Sequence, residues 1–186
     1  MASTEIKLTS EDYLKMPDDE RYELLDGELI MAPAPRTDHQ MAVMNLGSLL
    51  HIFVKEKNLG VVLSAPTDVV LSDIDVVQPD LLFISKERVH IITDDNIQGA
   101  PDLIIEVLSP STAERDRMFK LDLYARHGVK EYWLVDTDAK TVMVLLLGDH
   151  RFEVMGIYGE GQTLNSPTLP GFSLNISEVI ERLTPL

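Results

Sequence analysis

Two apolar stretches of this chain each carry an acid where a buried strand ordinarily tolerates none. VVQPDLLFI, residues 76–84, contains Asp80, and PDLIIEVLS, residues 101–109, contains Glu106. Side chains alternate along a strand, so Asp102, Ile104, Glu106 and Leu108 share one face while Leu103, Ile105 and Val107 share the other. Glu106 therefore interrupts an apolar surface and, if ionised, needs a counterion. Taken singly, each acid has a plain explanation: Asp80 follows Pro79 at an exposed strand end, and Glu106 pairs with a cation on a covering helix. Two carboxylates converging from adjacent strands form an oxygen-rich site of the kind Mg²⁺ or Mn²⁺ occupies with water and substrate phosphate. Such an ion polarises a phosphoryl oxygen and acidifies a bound water, the chemistry of phosphodiester hydrolysis.

A cation near the attacking water would complete the set. The helix expected after Glu106 offers Arg115, Arg117, Lys120 and Arg126. Met118, Leu121 and Ala125 mark its buried stripe, and Lys120 lies beside that stripe, where its stem is expected to snorkel over the sheet edge. A solvated lysine on an amphipathic helix is the plain alternative.

These residues must be held by a mixed α/β scaffold. A short helix is expected over Thr9–Lys15, stopped by Pro17, then a hairpin over Tyr22–Met31 turning at Asp26-Gly27. Apolar residues at spacings of three and four predict a helix over Asp38–Lys57 that ends at Gly60. Strands are expected at 60–65, 68–71, 76–84 and 101–109, and Ser111 or Thr112 caps a helix running from Ala113 to His127, with Gly128 as its left-handed C-cap. Strands EYWLVD, TVMVLLLGD and 152–157, a loop over 159–172 and a small helix over Ile176–Leu183 follow. The fold class is α/β (α+β), a mixed central sheet flanked by helices with an N-terminal helix and hairpin.

At 186 residues the chain fits a single domain spanning 1–186. It has no cysteine, which excludes disulfides, thiolate metal sites and cysteine nucleophiles. No run reaches the roughly 18–20 apolar residues of a membrane span, and the N-terminus lacks signal-peptide order, so a cytoplasmic protein with no membrane partner is expected. The net charge of −15 opposes unaided nucleic-acid binding unless cations or a basic partner offset it.

The runs QPDLLFI, PDLIIEVLSPST and DRMFKLDLYARHGVKEYWLVD, with YELLDGEL and PAPRTDHQ before them, closely resemble the Uma-type family of putative restriction endonucleases, bacterial members of the PD-(D/E)XK superfamily. The resemblance covers roughly 8–183 and implies a restriction-endonuclease-like core. It also implies that Asp80 is the PD aspartate and Glu106 the acid of (D/E)XK, both binding Mg²⁺ or Mn²⁺. The superfamily pattern places lysine two residues after that acid, where this chain has Leu108; the resemblance implies that Lys120 replaces it. Glu23 and His39 match further polar positions of the family. The implied activity is metal-dependent hydrolysis of DNA, by a homodimer where both strands are cut. The alternative is a non-catalytic nuclease-fold module that binds nucleic acid or protein, for which the acidic charge speaks.

Overall fold

The computed structural model describes residues 7–17, 21–32, 34–108 and 116–180, with the side chains of Asp116 and Arg117 left aside. Helix α1 is Ser10–Tyr13, a single turn closed by a capping box between Thr9 and Asp12. Strands β1 (Tyr22–Leu25) and β2 (Glu28–Met31) form the expected hairpin, and Asp26 and Gly27 both take positive φ at its tip. Helix α2 runs Thr37–Lys57 and is ended by Asn58 in the left-handed region, not by Gly60, which opens β3 (Gly60–Ser64). Strands β4 (Val69–Ser72), β5 (Asp75–Val77) and β6 (Leu81–Ser85) follow, then a 3₁₀ segment Lys86–Ile91 and β7 (Ile97–Gln98). After β8 (Leu103–Val107) comes a π-helical turn, Asp116–Lys120, leading into α3 (Leu121–Arg126). The chain continues through β9 (Glu131–Asp136), β10 (Thr141–Leu147), β11 (Phe152–Gly159), β12 (Thr163–Asn165), β13 (Ser173–Asn175) and α4 (Ile176–Ile180).

Two sheets carry the fold. One has six strands in the order β11-β10-β9-β8-β6-β3, with β8 and β9 parallel and the other neighbours antiparallel; the other has five, β2-β1-β5-β4-β7. Alternation along the six-stranded sheet divides the core. Leu81, Phe83, Ile105 and Trp133 face α2 and α4, whereas Leu82, Ile84, Ile104 and Tyr132 face α3 and the small sheet.

Three sequence expectations need correction. The run 76–84 is two strands in different sheets, because Gln78-Pro79-Asp80 carries the chain from β5 to β6 and proline cannot donate to a ladder. The helix expected over 113–127 is, in its described part, a π turn followed by six α-helical residues. Its caps Ser111 and Thr112 lie outside the described residues. The stretch 159–172, expected as loop, contains β12, which pairs with β13. Gly128 does take φ +82° after α3, as a C-cap glycine should.

Candidate active site

The site forms where the chain crosses from the small sheet to the large one. The pairing of β6 with β8 ends at Leu81 and Ile105, and Asp80 and Glu106 are the residues flanking that pair, on the chain just before β6 and within β8. Asp80 Oδ2 accepts the backbone N–H of Val107 at 2.8 Å and lies 3.1 Å from Nε2 of His39, in the first turn of α2. Glu23 arrives from β1 of the small sheet, its Oε1 accepting the Gln78 backbone N–H at 2.9 Å.

Lys120 joins the two sheets. Its Nζ donates to Glu23 Oε1 and to Glu106 Oε1, each at 3.0 Å, and the side chain is deeply buried, with the residue only 4% exposed. It does not snorkel to solvent as its place beside the apolar stripe suggested. Lys120 closes the π turn, a wider turn than an α-helix makes and one frequent at functional sites. One α-helical turn later, Tyr124 Oη donates to the same Glu106 oxygen at 2.7 Å. The structure thus brings all five expected residues, Glu23, His39, Asp80, Glu106 and Lys120, into one connected cluster.

The other candidate cations and acids, where they are described, have partners of their own. Arg126 is spent on Asp122 at the surface, 3.0 Å away, and Arg115 and the side chain of Arg117 lie outside the described residues. Asp102 belongs to the second Pro-Asp dipeptide and is fully buried but answered by the Ser85 N–H at 2.8 Å and by Lys130 and Arg88 at 2.7 and 3.2 Å. Burial pushes its pKa up, yet those donors outweigh burial and hold it below the ordinary carboxylate value. Its role is structural, as is that of buried Glu131, held by Trp133 and Ser166.

Sequence reasoning missed Tyr124 and the backbone of Gln78. Tyr124 carried a readable signal, since residues four apart on a helix share a face, and Lys120 points at Glu106. The Gln78 contact depends on the switch between sheets, which no local pattern announces.

Charge is lopsided in this cluster. Burial pushes the Glu106 carboxyl up to about 7, and the negative charges of Asp80 and Glu23 add to that rise against the opposing pull of Lys120 and Tyr124. Burial lowers the pKa of His39, but its hydrogen bond to Asp80 and the surrounding acids outweigh burial and raise it. The linkage sign follows. Folded Glu106 holds its proton to higher pH than unfolded glutamate at 4.5, so the native state binds more protons between those values. Stability in EDTA is expected to be greatest below pH 4.5, as far as this group contributes, and to fall as pH rises toward 7. Urea titrations of the parent and of Glu106→Gln across this window check it; equal pH slopes for the two proteins would contradict it. A second expectation concerns Tyr124→Phe, which removes a buried donor to a carboxylate and should cost roughly 1.5–3 kcal/mol. A change below about 0.5 kcal/mol at pH 8, within the range of ordinary surface substitutions, would show that the bond is not contributing.

The donor set fits a hard divalent cation. Among the described residues no donor reaches Asp80 Oδ1 or Glu106 Oε2, so each carboxylate of the junction retains a free oxygen. No group of three or more His, Asp or Glu residues among them is gathered into a closed metal cage. Mg²⁺ characteristically uses one or two carboxylates and completes its octahedron with water and phosphate oxygens, so two suffice.

The model of the Uma2 family, described as "Putative restriction endonuclease", matches residues 10–177. The chain belongs to the Uma2 family. An uncharacterized protein of Synechocystis sp. is 30% identical to this Uma2 chain over 142 residues, which is 73% of this chain and 78% of that one. The crystal structure of a putative nuclease belonging to DUF820 from Anabaena variabilis superposes with a TM-score of 0.79 at 22% identity, covering 93% of this chain and 97% of its own. That likeness establishes a nuclease-like fold for this Uma2 member, mixed sheets flanked by helices. Among the described residues no helix is long and apolar enough to cross a membrane.

Proposed function

We propose that this chain is a single nuclease-like domain that hydrolyses DNA phosphodiester bonds with Mg²⁺ or Mn²⁺, which Asp80 and Glu106 would hold. One observation carries the reading: two carboxylates at the sheet junction, each with a free oxygen, and an ammonium 3.0 Å from one of them. The family description and the fold neighbour's title, both naming nucleases, support it. When bound, the ion supplies Lewis-acid polarisation and an acidified water.

The chain's own residues do the rest. Lys120 places positive charge beside Glu106, where negative charge builds during attack on phosphorus, and preorganised charge in a water-poor site costs no rearrangement at that moment. Glu23 and the Gln78 N–H behind it fix the ammonium in place. His39 and the Val107 N–H hold one Asp80 oxygen, which leaves the other for the ion. The acidic total charge then ceases to be an objection at the centre itself, since a divalent ion neutralises the local excess. Cutting both strands calls for two such sites, hence a homodimer.

Incubation of supercoiled plasmid with the protein and Mg²⁺ or Mn²⁺, against an EDTA control, tests the proposal. Nicked or linear product that depends on the ion is the expected result. Protein that binds the ion yet leaves plasmid, linear duplex and single-stranded DNA uncut would favour the non-catalytic reading.

A further inference from the structure

A cavity of about 370 Å³ lies behind the active site, lined by Tyr13, Tyr22, Asp68, Gln78, Asp95 and Asn96 among others. Two chain segments serve both places. Tyr22 adjoins Glu23 on β1, and Gln78, whose N–H holds Glu23, is two residues from Asp80. The Gln78 side chain turns instead to the cavity, where its Nε2 and Tyr13 Oη each lie 2.9 Å from Asp68 Oδ1.

The polar groups left over there have a definite pattern. Among the described residues no donor reaches Asp68 Oδ2. Asn96 is only 9% exposed, and its Oδ1 accepts from Gln98 Nε2 at 2.6 Å and from Thr93 Oγ1 at 3.2 Å, but no acceptor among the described residues meets its Nδ2. The cavity therefore offers a fixed acceptor, a fixed donor and aromatic side chains. A phosphate would be repelled by Asp68 and Asp95. An ammonium or guanidinium group would satisfy the carboxylates but, having only donors, would leave the Asn96 amide unanswered. A nucleobase edge places N–H donors beside nitrogen or oxygen acceptors, and its flat face suits tyrosine.

We infer that this cavity binds an unstacked nucleobase of the nucleic-acid substrate, by hydrogen bonds from its edge to Asp68 and Asn96 and by contact with Tyr13 and Tyr22. The inference rests on the nuclease reading and deepens it. A base can enter only when it is unpaired or extruded, so the substrate is single-stranded or locally opened at the nucleotide beside the cut.

The test uses the full-length, metal-free protein and free deoxynucleosides, titrated one at a time and followed by ¹⁵N-resolved NMR of the Asn96 and Gln78 side-chain amides. At least one of the four is expected to shift those signals saturably. Asp68→Asn and Asn96→Asp keep the contacts to their own neighbours and reverse the group facing the cavity. Each should weaken binding by about fivefold or more, the size of one lost hydrogen bond. Either variant suffices if the other fails to give a folded spectrum. No saturable shift with any nucleoside, unchanged affinity in the folded variants, or saturation by methylguanidinium in place of nucleosides would each overturn the inference. Because neither metal nor cleavage enters this titration, nucleoside binding by a protein that cuts nothing would sink the nuclease reading alone. Active cleavage without nucleoside binding would sink only the base pocket.

Discussion

Asp80→Asn is expected to lower Mg²⁺-dependent cleavage by roughly 10²–10⁴-fold, because several kcal/mol of charge stabilisation depend on the ion and each decade of rate is about 1.4 kcal/mol. The direction of the new amide is dictated by its neighbours. The Val107 N–H, 2.8 Å from Asp80 Oδ2, demands an acceptor, so the remaining carbonyl oxygen keeps that place and the NH₂ group takes the position of the free oxygen. An amide nitrogen there is no ligand for a hard cation. Calorimetric Mg²⁺ affinity should fall together with cleavage while the unfolding midpoint moves little. Undiminished affinity in a folded variant would take Asp80 out of the site.

Lys120→Met is the second large effect and needs a companion change. Removing the ammonium alone leaves Glu23 and Glu106 buried without their shared partner, at a cost of about 3–5 kcal/mol, so loss of activity could reflect unfolding. Glu23→Gln beside Lys120→Met removes one of those stranded charges. The folded double variant should retain Mg²⁺ affinity, since a lysine is no ligand, yet cleave roughly 10²–10³-fold more slowly than Glu23→Gln alone, the loss expected for one preorganised stabilising group. Equal rates for the two would remove Lys120 from the chemistry. Restoring a lysine at the superfamily position, Leu108→Lys, is not expected to rescue. Leu108 shares the Glu106 face but is packed in the apolar cluster with Ile104, Leu123 and Leu134, so the new ammonium would be buried without a carboxylate in place.

The site acids were legible because each broke a pattern. Glu106 stands out in LIIEV by strand alternation alone, and Asp80 by its place before an apolar run. The hairpin at Asp26-Gly27, the long helix α2 and the C-cap at Gly128 were legible for the same local reasons of periodicity and turn chemistry. What was not legible is tertiary. The split of 76–84 between two sheets depends on which neighbours β5 and β6 find, and the apolar sequence on either side of Pro79 reads as one strand. The inward course of Lys120 was hidden because heptad-like counting assumes an unbroken α-helix, and residues 116–120 are not one. Glu23 and His39 came from resemblance; their roles around Lys120 and Asp80 arise only from the packing of β1 and α2 against the sheet junction.

The wide turn that ends at Lys120 also fixes an angular register. In a continuous α-helix the angular phase of every residue is locked to every other, about 100° per position, so lengthening the chain by one residue upstream would swing the upstream surface around the axis. A π turn takes up one extra residue locally. Lys120 and Tyr124 stay in phase with each other and both reach Glu106, while Met118, inside the wide turn, is left exposed. A residue inserted between Lys120 and Tyr124 would therefore swing one of the two donors about 100° around the axis and away from Glu106.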